Sequence, residues 1–251
     1  MTQLQAIVRF LDQELNIEKV PDYPGAINGL QLENSGKVTK VGAAVDASLP
    51  VIEKAISDGV DLLVVHHGMF WQGAQPVTKA NFKKLKSAID GDMAIYSAHI
   101  PLDIHLVLGN NALLAKALGI TDTKPFFLWK GIELGISGNM DLSLSDLEEK
   151  ITEVLKSPVH ICPGGDSQVG RVGIITGGAG SEVAAVHAEG INTFITGEGP
   201  HWTYPMAEEL GINLIYAGHY ATETFGVIAL AEELARLKKL EWVFIDHPTG
   251  L

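Results

Sequence analysis

"TKVGAAVDASLPVIEKAISDGVDLLVVHH", residues 39–67, is the stretch on which the fold turns. An apolar run ending at Asp46 reads as a strand, Leu49 to about Asp58 as a helix, and Asp61 to Val65 as a second, buried strand. Strand, helix and strand in that order predict a βαβ unit. Two adjacent histidines, His66 and His67, close the second strand. Neighbouring strand residues face opposite sides of a sheet, so a regular strand would aim only one imidazole at a common site. Gly68 follows, and a glycine-led turn releases the pair from that alternation.

The alternation continues outward. An amphipathic helix carrying Leu4, Ile7, Phe10 and Leu11 begins the chain, and "VPDYPGAINGLQLENSGK" (20–37) reads as a loop. Helices are expected at about 80–90 and 110–118, and strands at 93–98 and 131–137. Next come helix 143–156, strand 169–176, helix 180–189, strand 192–196, helix 202–210, strand 213–217, helix 222–237 and strand 241–245. "ITDTKPFFLWKG" (120–131) breaks the series with a Pro and turn chemistry. It divides the chain into a first α/β lobe, 1–125, and a second, 126–251.

Composition narrows the function. Hydrophobic residues make up 46% and charged residues 19% of the 251, and no apolar run approaches the roughly 20 residues that span a bilayer. The N-terminal stretch lacks a basic segment followed by an apolar one, so no export signal is read and a cytoplasmic location is expected. The single cysteine, Cys162, fits a reducing compartment and excludes multi-cysteine metal sites; a small buried residue is its simplest reading. A net charge of −12 repels nucleic-acid phosphates. Lys79, Lys83, Lys84 and Lys86 read as one solvated helix face.

The two halves resemble each other. "TKVGAAVDAS" (39–48) matches "GRVGIITGGA" (170–179), and "ISDGVDLLVVHHGMFW" (56–71) matches "HAEGINTFITGEGPHW" (187–202), both at an offset of 131. "GDMAIYSAHIPLD" (91–103) matches "GINLIYAGHYATE" (211–223) at an offset of 120. The kept order argues for two similar lobes related by internal duplication. It also sets His67 opposite Glu198, His99 opposite His219, and Asp103 opposite Glu223. Polar groups beyond the carboxyl ends of α/β strands collect at functional clefts, so these residues are expected to share one between the lobes.

Imidazole and carboxylate donors suit zinc, iron, manganese, cobalt or nickel. His66, His67, His99, Asp103, His219 and Glu223 are too many for one tetrahedral ion, whereas two ions accommodate them. With neutral imidazoles, two divalent ions against the carboxylates of Asp103 and Glu223 leave a surplus of about +2, which favours hydroxide or an anionic substrate. A single histidine before a helix is more often a cap or a hydrogen-bonded core residue; the repeated strand-end placement singles out this set.

The ordered motifs "NGLQ" (28–31), "VVHHGMFW" (64–71), "SAHIPLDIHLVLGNN" (97–111), "TGEGPHW" (196–202) and "AGHYATETFG" (217–226) together resemble the NIF-three-like family, whose members carry the name type 2 homologues of GTP cyclohydrolase I. The resemblance implies two similar α/β domains, a dinuclear metal site between them and a toroidal homohexamer. It implies His66, His67, Asp103, His219 and Glu223 as metal ligands, and His99 and Glu198 as proton-handling or supporting groups. His201 departs from the pattern. No long insertion separates the halves, as in the short form of the family.

Two functions are expected from this set. One is a metal-dependent hydrolase of C–N or ester bonds in a small molecule, a nucleotide by the family label, with Glu198 or His99 moving a proton. The other is a metal-binding scaffold or regulatory protein without turnover. "TGGAGS" (176–181) reads as an anion-binding turn or an ordinary tight one. Trp71 and Trp202 offer either an aromatic wall for a ring-bearing substrate or burial between lobes. "HICPGGD" (160–166) reads as a loop beside a short strand, and His105, His160, His187 and His247 as structural or surface residues.

Overall fold

The structure is a computed structural model describing residues 3–71, 73 and 75–251. Its elements begin with α1 (Gln3–Glu14), β1 (Gly29–Leu32), β2 (Lys40–Asp46), α2 (Leu49–Ser57), β3 (Leu62–His67), α3 (Lys79–Asp90) and β4 (Ala94–Ser97). They continue with α4 (Ile100–Asp103), α5 (Asn110–Ala117), β5 (Lys124–Trp129), β6 (Ile132–Ser143), α6 (Leu144–Leu155), β7 (His160–Pro163) and β8 (Gln168–Ile174). A 3-10 turn (Gly180–Glu182) precedes α7 (Val183–Ala188), β9 (Thr193–Thr196), α8 (Thr203–Leu210), β10 (Asn213–Tyr216), α9 (His219–Thr222), α10 (Thr224–Lys238) and β11 (Glu241–Phe244).

The chain builds two compact α/β units. The first takes the residues up to Leu102 together with Gly226–His247; the second takes Asp103–Phe225 and Pro248–Leu251. The sequence suggests one division after residue 125. In the structure the chain passes between the units more than once, so Asp103 belongs to the second unit and β11 to the first.

The first unit holds a five-stranded sheet in the order β1-β4-β3-β2-β11. β4, β3, β2 and β11 run parallel, and β1 pairs antiparallel with β4 at the edge. Residues 41–45 and 62–66 are buried without alternation, as strands covered on both faces require. Val51, Ile52 and Ala55 of α2 pack with Ala44, Leu63, Val65 and Ile95. Ser48 caps α2, its side chain accepting from Val51 N, and Pro50 sits in the first turn, where no amide is lost from the ladder. The strand at 241–245, read as closing the second lobe, pairs instead with β2, Val243 lying opposite Gly42.

The second unit holds a six-stranded sheet in the order β5-β6-β8-β9-β10-β7. β8, β9 and β10 are parallel; β5, β6 and β7 join antiparallel. Leu114, Leu118, Leu147, Ile151, Val172, Ile174, Ile195 and Ile215 form its core. β1, β5 and β7 are strands beyond those expected, all at sheet edges. Each carries features that weaken a strand signal: Gly29 at φ +103°, Phe127 at φ +69° beside Pro125, and Pro163. The helix expected over 222–237 is interrupted at Glu223, between α9 and α10.

The sequence repeat has a structural counterpart. β1-β4-β3-β2 and β7-β10-β9-β8 share order and direction, each with an earlier strand added antiparallel beside the third parallel one. Val41 pairs with Leu62 and Val172 with Thr193, reproducing the offset of 131. The third strands differ from the sequence match by one residue. Ala94 N donates to Asp61 O and Asn213 N to Asn192 O, while Ala98 N donates to Val65 O and Ala217 N to Thr196 O; 213 − 94 and 217 − 98 both give 119. Backbone equivalence therefore sets His99 against Gly218, and His219 one residue later at the start of the following helix. Among the described residues, no helix is long and apolar enough to cross a membrane.

Candidate metal centre

In the first unit, three imidazoles meet where β3 and β4 end. The ring centroids of His66 and His67 are 4.9 Å apart, those of His66 and His99 4.9 Å, and those of His67 and His99 5.6 Å. Each residue offers a ring nitrogen within 4.8 Å of the others'. The adjacent histidines thus come within reach of one another although both lie inside β3, whose register with β2 continues through His67 opposite Asp46.

One nitrogen of every ring is already committed. His66 is fully buried, and its Nδ1 lies 2.9 Å from the carbonyl oxygen of Ala98. His67 Nδ1 lies 2.9 Å from Asp46 Oδ1, and His99 Nδ1 2.8 Å from Asp22 Oδ1. A carbonyl or carboxylate at Nδ1 fixes ring orientation and the tautomer whose Nε2 is basic, the arrangement behind metal-binding histidines.

These supporting groups have firm seats of their own. Asp22 Oδ2 accepts from Asn28 Nδ2 at 2.8 Å and from Ile100 N at 3.0 Å, and its Oδ1 accepts from Tyr23 N at 2.6 Å. Burial pushes this carboxyl upward, but the bonds from His99, Asn28 and Tyr23 outweigh it and hold Asp22 below the usual carboxylate range. Asn28 Oδ1 also accepts from His99 N at 2.7 Å. Gln31 Oε1 accepts from Met69 N at 2.7 Å, fixing the turn after His67; at Gly68 a Cβ would overlap the Gln31 amide. "NGLQ" therefore braces both ends of the imidazole cluster. The Trp71 ring lies 4.6 Å from His99 and 5.5 Å from His67, and the residue stays 43% exposed.

In the second unit, His219 opens α9 after Gly218, whose φ is +92°. Glu223, at the break that ends α9, comes back beside the first residue of that helix, with His219 Nε2 3.2 Å from Glu223 Oε2. His219 Nδ1 lies 2.8 Å from Glu198 Oε1. Burial draws this imidazole's pKa down, yet Glu223 and then Glu198 overcome that and raise it to about 9. The paired carboxylates thus make a strong seat for positive charge. Glu223 is buried, while the Glu198 side chain is 45% exposed.

Asp103 is also buried in this unit, its Oδ1 accepting from Asn110 Nδ2 at 2.8 Å and lying 3.2 Å from the Thr176 hydroxyl. Asn111 Oδ1 accepts from Thr176 N at 2.9 Å. The glycine turn at 176–181 serves the protein itself: Gly177 N donates to Thr222 Oγ1, Ala179 N to Thr196 Oγ1 and Gly180 N to Glu198 O. That matches the ordinary-turn reading, with a further purpose. Gly177 has φ +72°, and a Cβ there would overlap Glu223 Oε1, so the glycine lets the carboxylate reach its place.

Of the residues singled out by sequence, His66, His67 and His99 therefore lie together in one unit, and Glu198, His219 and Glu223 together in the other. Asp22 and Asp46 were not among them. Asp46 had a usable signal, being a carboxylate at the carboxyl end of a parallel strand beside His67; Asp22 lies in a Pro-rich loop that gave none. His105 Nδ1 accepts from Leu108 N at 2.9 Å, a local turn, and His160 stacks on Tyr216.

The sequence model of Duf34/NIF3 (NGG1p interacting factor 3) matches residues 2–250. A GTP cyclohydrolase 1 type 2 homolog of Deinococcus radiodurans is 38% identical over 247 residues, which cover 98% of this chain and 93% of the relative. The solved structure of TTHA1606 from Thermus thermophilus is 38% identical, with a TM-score of 0.89 over 98% of this chain and 99% of that one. Protein ybgI, whose structure is described as of unknown function, is 35% identical, with a TM-score of 0.93 over 100% of both chains.

Proposed function

The chain belongs to the Duf34/NIF3 family, and from that premise we propose that it binds divalent metal and hydrolyses a C–N or ester bond of a small molecule. The observation that carries this reading is the His66–His67–His99 cluster, with the Nδ1 of each ring occupied by Ala98 O, Asp46 or Asp22. The donors fit zinc, iron, manganese, cobalt or nickel: imidazoles and carboxylates, no thiolate, and orientation fixed from behind. We assign His66, His67, Asp103, His219 and Glu223 as ligands and expect two ions per chain.

Bound divalent ions supply Lewis acidity and bring the pKa of water from 15.7 toward about 7. The protein's own groups orient, bind and move protons. Asp46 and Asp22 hold His67 and His99 in position. Glu198, partly exposed and lying against His219, is the group to which we assign taking a proton from the attacking water and returning it to the leaving nitrogen or oxygen, with His99 as the second candidate. The relatives' name supports GTP as the first substrate to try, the reaction being opening of the purine imidazole ring with formate release. A cytoplasmic homohexamer is the assembly and location we carry with this reading.

A second reading, metal held for structure or regulation without turnover, draws support from the depth of His66 and Glu223, 0% and 2% exposed. The two are separated by assaying metal-loaded protein against GTP, phosphoesters, amides and cyclic amidines. Turnover lost in Glu198→Gln at unchanged metal content supports the hydrolase; full occupancy with no turnover on the panel supports the second reading. Elemental analysis of wild type and His67→Ala tests the metal itself, and near-zero content in both rejects it.

A further inference from the structure

Past His67 the chain folds over a separate concavity of about 290 Å³, bordered by Met69, Phe70 and Trp71 on the turn and by Asn81, Lys84 and Leu85 on α3. That volume, at the low end for ligand pockets, suits one ring with a substituent. Trp71 belongs to its wall and also lies 4.6 Å from the His99 ring and 5.5 Å from that of His67, so one indole borders both the concavity and the imidazole cluster.

Lys84 is the unusual member. Its neighbours suggest a solvated helix face, and Lys83 and Lys86 are indeed exposed, Lys86 pairing with Asp90. Lys84 is instead half-buried and lines the cavity. Burial lowers its ammonium pKa, and among the described residues it makes no salt bridge. Lys84 shares the cavity with the neutral amides of Gln75 and Asn81 and with apolar and aromatic residues, none of them a counter-charge, and a half-buried cation in that setting is stabilised by an anion that enters.

We propose that this cavity is the substrate-selecting subsite: it takes an oxyanion, phosphate or carboxylate, carried on an aromatic or heteroaromatic ring, with Lys84 supplying the charge and Trp71 a stacking face. The ring's far side then reaches the His66–His67–His99 cluster, where the bond to be cleaved lies. This inference rests on reading that cluster as the reaction centre.

Calorimetric titration tests it with three probes, phenyl phosphate, benzoate and benzyl alcohol, each added to metal-loaded and to chelator-treated full-length protein. Chelator-treated wild type is expected to bind at least one of the two anions saturably and to ignore benzyl alcohol; the anion preferred identifies the oxyanion. Lys84→Met should weaken that binding about tenfold or more, the scale of one charge-assisted hydrogen bond, and Lys84→Arg should restore part of it. Trp71→Leu should weaken each anion that the wild type binds. Equal affinity in wild type and Lys84→Met overturns the proposal, as does failure of both anions to bind. Binding that vanishes on chelation and ignores Lys84 also overturns it, because the anion then sits on metal. Lys84-dependent binding in protein that holds no metal under any loading keeps the subsite and rejects the metal reading instead.

Discussion

His67 and Asp46 stand opposite one another at the carboxyl ends of adjacent parallel strands, the imidazole Nδ1 2.9 Å from the carboxylate Oδ1. Strand register alone brings them together, so the carboxylate orients the ring without help from a flexible loop. Asp46→Asn should leave the circular dichroism spectrum and unfolding midpoint near wild type while weakening metal binding about 10–100-fold, the usual effect of losing such a partner. Competition with a metal-sensitive dye measures it; an unchanged affinity would show that Asp46 does not set the ring.

Gly177 poses the opposite kind of constraint, since it matters for what is missing. With φ at +72° and Glu223 Oε1 occupying the space of a Cβ, Gly177→Ala is strained in both backbone and packing. A destabilisation above about 1 kcal/mol in urea unfolding is expected. Displacement of Glu223 should also reduce metal content. Gly59→Ala provides the control: its φ is +74° but nothing lies within 4 Å of its Cβ, so it carries the backbone cost without the clash. Equal effects at the two sites would reject the packing argument.

Legibility in this sequence followed hydrogen-bonding geometry. Buried parallel strands such as Leu62–His67 leave long apolar runs and were readable, as were the glycine-led turns and polar residues that follow them. Edge strands were not: Lys124–Trp129 contains Pro125 and a positive-φ Phe127, and its pairing with β6 depends on a partner that no local pattern announces. The one-residue difference between sequence match and backbone equivalence has the same origin. Two histidines align well as letters, yet the ladder fixes Ala98 with Ala217 and leaves His219 to the helix start. Asp22 contributes to the cluster through a contact 77 residues away, a separation at which periodicity carries no information.

Cys162 lies fully buried in β7, and burial, with the Glu208 carboxylate beside it, pushes its thiol up to about 11. At pH 8 only roughly one thiol in a thousand would then be ionised. Folded protein should resist a disulfide-exchange reagent at that pH and react fully once denatured. The sign follows from a raised value: this group's contribution to stability is complete below the unfolded value of 9.0 and is lost as pH climbs toward 11. Fast stoichiometric labelling of the folded state, monitored by absorbance, would contradict the burial argument.

Asp61 joins the starts of β2 and β3, its Oδ2 accepting from Thr39 N at 2.6 Å, Thr39 Oγ1 at 2.6 Å and Lys40 N at 3.0 Å. Burial acts to raise this carboxyl, but the Thr39 and Lys40 bonds, with the nearby Lys37 charge, hold it below its ordinary 3.8. A depressed folded value means the stabilisation is complete above 3.8 and is lost as pH falls through the lower folded value. Asp61→Asn leaves an acceptor but removes the charge, so unfolding at pH 7 should cost about 1–2 kcal/mol less than in wild type. The difference should shrink as both proteins are acidified, because protonated Asp61 resembles the amide. Urea midpoints measured from pH 7 down to the acid transition give both quantities, and a gap that stays constant across that range would show that hydrogen-bond geometry at the strand starts, not the charge of Asp61, is what matters.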